Sequence, residues 1–134
     1  MEGVTAGPIL VVSAKWQTRA LLAAELGERA ERDVLPAGDV DQALGLIKLA
    51  GVEPAVVVID VGRRIRPEGV ERLLEAKDGL RLVLVVSGLR QASFDRLSER
   101  CTAYLRRPVP IGTIAQAVVG VLKDQETGVS TPPD

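Results

Sequence analysis

The feature that most constrains this chain is a set of uninterrupted aliphatic runs: Ile9-Leu10-Val11-Val12, Val56-Val57-Val58-Ile59 and Leu82-Val83-Leu84-Val85-Val86. A strand with one face in water alternates apolar and polar residues, whereas a strand covered on both faces has no reason to alternate. Short runs rich in β-branched residues therefore predict central strands of a parallel sheet. Strands are expected at residues 9–13, 33–37, 55–60, 82–87 and 103–106. The second is weaker and more polar, as an edge strand would be.

Helical spacing fills the intervals. Residues 16–29 place Ala20, Leu21, Ala24 and Leu26 near one face, and residues 40–50 do the same with Ala43, Leu44 and Ile47, with Gly51 following as a stop. Residues 70–77 and 92–100 offer Leu73, Leu74, Phe94 and Leu97 as inward positions, and residues 111–123 close the series. Five strand–helix alternations predict an α/β fold with helices on both faces of a five-stranded parallel sheet. Right-handed crossovers leave few topologies, among them the flavodoxin-like, doubly wound order 2-1-3-4-5. One domain is expected over residues 1–124. Residues 125–134, with Gly128, Ser130, Thr131, Pro132 and Pro133, are expected to form a flexible tail or clipped linker.

Composition removes several classes of function. Apolar residues are 46% of the chain and aromatics only 2%, so an aliphatic core is expected rather than disorder. Seventeen Lys and Arg against eighteen Asp and Glu leave a net charge of −1, which gives no sign of direct nucleic-acid contact. No signal peptide or membrane-length apolar run is evident, and the one cysteine, Cys101, fits a reducing compartment, so a cytoplasmic location is expected. There is no histidine. His-paired nucleophiles and His-ligated metals are thereby excluded, and the chain cannot carry a phosphohistidine. No enzymatic activity and no cofactor are expected.

In an open parallel sheet, ligands sit beyond the carboxyl ends of the strands where strand order reverses, here between strands one and three. Ser13-Ala14 and Asp60 end those strands; Ser87 ends strand four and Arg107 follows strand five. Singly, Asp60 reads as a solvated strand-end carboxylate and Ser87 as a turn residue. Their convergence on one sheet edge, together with a cation, favours a site.

From residue 8 to residue 123 the sequence resembles the receiver domain of bacterial two-component response regulators, the CheY-like module. Ile9–Val12 is similar to that family's first strand, and Ala37-Gly38-Asp39 with Gln42-Ala43-Leu44 to its second loop and helix. Residues 54–60 resemble its third strand, ending at Asp60, and Gly69-Val70 with Leu73-Leu74 the start of its third helix. Ser87-Gly88 and Tyr104-Leu105-Arg106-Arg107-Pro108-Val109 resemble the ends of its fourth and fifth strands. The resemblance implies Asp60 as phosphoacceptor, Ser87 as hydrogen-bond partner of the phosphoryl group, Arg107 in place of a lysine that pairs with it, and Tyr104 as an aromatic switch.

Two departures matter. Where the family places an acidic pair that holds a divalent cation, this chain has Ser13 and Ala14, and the Met-Pro pair past the phosphoacceptor is replaced by Val61-Gly62-Arg63-Arg64-Ile65-Arg66. Phosphoryl transfer depends on charge neutralisation, much of it supplied by the metal. Mg²⁺ held by Asp60 alone would bind weakly, and Mg-dependent phosphorylation is expected to be impaired. A standing Asp60–Arg107 ion pair is expected instead, with Arg63, Arg64 and Arg66 on the same edge. Trp16 is expected to pack against the start of the first helix.

The last helix presents Ile111, Ile114, Ala115, Val118, Val119, Val121 and Leu122 on one face. Gly112, Thr113, Gln116, Ala117 and Gly120 lie opposite, uncharged and mostly small, which offers Gly112, Gln116 and Gly120 as a contact face for a homodimer or another protein. Three readings remain open: an atypical receiver acting through a protein partner such as a histidine kinase or output domain; a working phosphoreceiver using Asp60; and a flavodoxin-like binder of an anionic ligand or nucleotide through the Arg-rich loop.

Overall fold

The computed structural model describes residues 7–88 and 91–127. Five strands, β1 (Ile9–Val12), β2 (Val34–Ala37), β3 (Val56–Asp60), β4 (Leu82–Val86) and β5 (Ala103–Arg106), alternate with α1 (Trp16–Ala30), α2 (Val40–Lys48), α3 (Pro67–Ala76), α4 (Gln91–Phe94) and α5 (Ile111–Thr127). All neighbouring strands pair in parallel, in the order β2-β1-β3-β4-β5.

The continuous aliphatic runs follow from two cores on one sheet. Leu10 and Val12, Val57 and Ile59, and Leu82, Leu84 and Val86 face the cluster that contains Val40, Ala43, Val70, Leu73 and Phe94, from α2, α3 and α4. Their neighbours Ile9, Val11, Val56, Val58, Val83 and Val85 face the other way, onto Leu22 and Leu26 of α1 and Ile114, Ala115 and Val118 of α5. Every residue of β1, β3 and β4 is buried, so alternation has no water-facing side to mark. The weaker runs form the two edges. Pro36 is tolerated in β2 because that strand pairs on one side only.

The helices depart from their expected form in instructive ways. On α1 the buried pair is Leu22 and Leu26, while Ala20, Leu21 and Ala24 are exposed and Trp16 is 66% exposed. Alanines contribute too little apolar area to fix a face, whereas two leucines four apart anchor one. Trp16 therefore does not pack into the fold. α2 ends at Lys48, and Gly51 takes a left-handed φ of 71° just beyond it, as a helix stop does. Asp39 caps the start of α2 by accepting from the Gln42 amide at 2.8 Å, and Gln42 Oε1 accepts from the Gly38 amide at 2.7 Å. α3 begins three residues early, at Pro67, whose fixed φ suits a first helical position.

The fourth helix is a single α-turn continued by a 3-10 segment, Asp95–Arg100, rather than one helix over 92–100. Its two buried anchors, Phe94 and Leu97, are three residues apart, the spacing that a 3-10 helix eclipses. α5 runs to Thr127, past its expected end at 123 and into the expected tail; residues 128–134 lie outside the described residues. Among the described residues, no helix is long and apolar enough to cross a membrane.

Candidate functional site

Parallel pairing brings the carboxyl ends of β1, β3 and β4 to one sheet edge, and the backbone continues the ladder past them. The Ser13 amide donates to the Ala37 carbonyl at 3.0 Å, Val61 to Val85 at 2.9 Å and Arg107 to Val86 at 2.8 Å. Three loops are thereby fixed around Asp60. Asp60 and Ser13 are the two buried polar residues named among the described core, 6% and 0% exposed. A buried carboxylate of this kind needs partners for both oxygens.

It has them. Ser13 Oγ donates to Asp60 Oδ2 at 2.9 Å, and Arg107 Nη2 donates to Oδ1 in a charged pair. The ion pair expected from the sequence forms, and the serine in the position of a missing carboxylate completes it. Ser13 is itself held, because Arg19 Nη1 from α1 donates to its carbonyl at 2.6 Å. Sequence reasoning missed Arg19 and the hydroxyl's role; the signal available was a side chain six residues on, inside the first turns of the helix.

Beside the carboxylate opens a cleft of about 790 Å³, lined by Ala14, Lys15, Thr18, Asp60, Val61, Gly62, Arg63, Arg64, Ser87 and Arg107. Arg63 and Arg64 join the site, as expected, whereas Arg66 is exposed at the N-cap position of α3 and does not line the cleft. Lys15 and Thr18 were not anticipated. Thr18 lies in the first turn of α1, the segment immediately downstream of Ser13.

For a divalent cation the cleft lining offers one carboxylate, Asp60. Ser13 and Ala14 offer no carboxylate, both Asp60 oxygens are engaged, and no group of three or more Asp, Glu, Cys or His side chains suited to a metal occurs among the described residues.

Tyr104 stands away from the cleft. Its hydroxyl donates to Asp95 Oδ1 at 3.0 Å, and the Arg106 guanidinium lies 6.0 Å from its ring centre. Burial and then the Asp95 carboxylate push the phenol up to about 12. Burial likewise raises the Cys101 thiol to about 11, which leaves little thiolate at neutral pH.

On α5, Gln116 and Gly120 are exposed, while Gly112 is half-buried beside α1, where an added Cβ would meet Arg29 Nη2 at 3.5 Å. The three residues offered as one contact face therefore divide: Gly112 lies along the α1 seam, and Gln116 and Gly120 face outward.

No protein-family model matches this sequence, and no curated protein does. Solved structures do match its fold. An adenylate cyclase from Rhodopirellula baltica superposes with a TM-score of 0.78 at 15% identity, over 90% of this chain and 92% of that one. The signal receiver domain of an HD domain-containing protein from Pseudomonas fluorescens Pf-5 gives 0.76 at 20% identity, over 93% of each chain. A CheY-like response regulator receiver domain protein from Methanospirillum hungatei JF-1 gives 0.75 at 19% identity, over 93% of this chain and 100% of that one. The fold is that of response-regulator receiver domains.

Proposed function

We propose that this chain is an atypical receiver module that signals by binding a protein partner, with Asp60 held in a standing ion pair instead of poised to accept a phosphoryl group. The observation that carries the reading is the double engagement of Asp60, by neutral Ser13 on one oxygen and cationic Arg107 on the other. A nucleophilic carboxylate must present a free oxygen to phosphorus. Releasing one here gives up a hydrogen bond to a charged group, worth about 1.5–3 kcal/mol, and lost transition-state stabilisation of about 1.4 kcal/mol slows a step roughly tenfold. The metal that would offset the phosphoryl charge also lacks its carboxylates. In this reading the chain is no enzyme, and a histidine kinase or an output domain is the kind of partner it meets. The exposed Gln116 and Gly120 on α5 support that side of the molecule as the contact face for such a partner or a second copy.

Intact-mass measurement after incubation with phosphoramidate and Mg²⁺ tests the reading. An unmodified mass is expected. A phosphoryl adduct that disappears in Asp60→Ala would overturn the standing pair and restore Asp60 as a working phosphoacceptor.

A further inference from the structure

The cleft beside Asp60 carries a charge that the molecule as a whole does not. The chain is nearly neutral at −1, yet the cleft wall holds Lys15, Arg63, Arg64 and Arg107 against the single carboxylate of Asp60. That carboxylate is committed to Arg107 and Ser13, so it does little to neutralise the other cations. Among the described residues, Lys15 and Arg64 have no ion-pair partner, and the Ser87 and Thr18 hydroxyls make no hydrogen bond. Arg107 spends one nitrogen, Nη2, on Asp60. Lys15, Arg64 and two hydroxyl donors thus converge, with Arg107, on one concave surface whose carboxylate, Asp60, is already engaged.

We propose that this cleft binds a compact phosphorylated small molecule, without a divalent cation and without covalent transfer. Lys15, Arg64 and the remaining guanidinium N–H groups of Arg107 hold the phosphate, and the Ser87 and Thr18 hydroxyls complete its donors. Phosphate suits this lining better than a carboxylate because it accepts from several directions at once, and guanidinium groups match its oxygens in pairs. With Ser13 and Ala14 adding no negative charge, the guanidinium and ammonium groups around the cleft attract an anion without a metal. The volume lies within the range of small-ligand pockets, about 300–1,000 Å³. Among the described residues no aromatic side chain lines the cleft, so it offers a base no aromatic platform, and the phosphate is the part its charges recognise. The signal entering such a module is then an occupied cleft instead of a phosphorylated aspartate. The inference rests on the reading of Asp60 as a held carboxylate.

Titration calorimetry of the full chain with pyrophosphate, in divalent-free buffer at about 150 mM NaCl to screen loose surface attraction, tests it. Saturable one-to-one binding is expected, with inorganic phosphate weaker and sulfate weaker still. The double variant Lys15→Ala/Arg64→Ala, both exposed positions, should lower the pyrophosphate affinity by about tenfold or more, since each removes a charged donor. Asp60→Asn should raise it several-fold, because Arg107 is released and a competing anion is gone. A pyrophosphate affinity no higher than that for sulfate, or an affinity in the double variant within about twofold of the wild-type value, overturns the proposal. The two readings fail separately. A phosphoryl adduct on Asp60 sinks the standing pair whatever pyrophosphate does, and absent pyrophosphate binding sinks this site while the mass experiment stands.

Discussion

Tyr104 is held by a hydrogen bond outside the cleft. It occupies the position that the resemblance assigns to an aromatic switch, yet its hydroxyl is tied to Asp95 and not to the cleft. The folded chain holds the phenolic proton more tightly than an unfolded one, with a pKa of about 12 against 10.0. A raised pKa stabilises the fold below the unfolded value and loses that contribution as pH climbs from about 10 through 12. Because the chain has a single tyrosine, its phenolate absorbance reports this site alone. The native midpoint should lie near 12 and move toward 10 in Asp95→Asn; an unmoved midpoint would show that Asp95 contributes nothing. At this scale the sequence was partly legible. Asp60, Ser87 and Arg107 could be placed by their strand ends, and the Asp60–Arg107 pair followed from charge. The Ser13 bond to Asp60 could not be read, because a serine at a strand end looks the same whether its hydroxyl meets water or a carboxylate 47 residues away.

Among the elements, α1 separates what periodicity shows from what packing decides. Its sequence carries apolar residues on nearly every side, and the face expected from Ala20, Leu21, Ala24 and Leu26 is not the one it buries. Leu22 and Leu26 are fully buried, while Leu21 between them is 59% exposed. Leu26→Ala should cost about 2–5 kcal/mol in urea unfolding, the range for a buried leucine. Leu21→Ala should stay within about 0.5 kcal/mol, as surface changes do. Equal losses would mean that α1 is rotated from the orientation described. The 3-10 segment at Asp95–Arg100 has the same origin. Only Phe94 and Leu97 reach the core there, and two anchors three residues apart leave the backbone free to tighten. By contrast, β1, β3 and β4 began and ended within a residue of expectation, because a strand buried on both faces writes its whole length in aliphatic side chains.

For the molecule as a whole, the site couples stability to ions in a way that can be engineered. On the reading of Asp60 as a held carboxylate, Mg²⁺ has little to bind in the native state, and a ligand stabilises only the state it binds. The wild-type melting temperature should therefore be indifferent to about 10 mM Mg²⁺, a concentration well above the roughly 1 mM Kd of even weak Ca²⁺ carboxylate sites. In Ser13→Asp/Ala14→Asp, two carboxylates are set beside Asp60, and like charges at close range destabilise the folded state. That variant should melt lower in metal-free buffer and recover part of the loss with Mg²⁺. A wild-type increase as large as the variant's would contradict the reading of Asp60 as a held carboxylate. The order of elements, the parallel sheet and the strand ends that carry Asp60, Ser87 and Arg107 were legible in the sequence alone, because aliphatic runs and their helical spacers are local patterns that few layered arrangements bury. The tertiary structure decided which face each helix buries, that both Asp60 oxygens are occupied, and that Lys15 and Thr18 join the arginines around one cleft. Those outcomes depend on distances between residues far apart in the chain, and no local pattern encodes such distances.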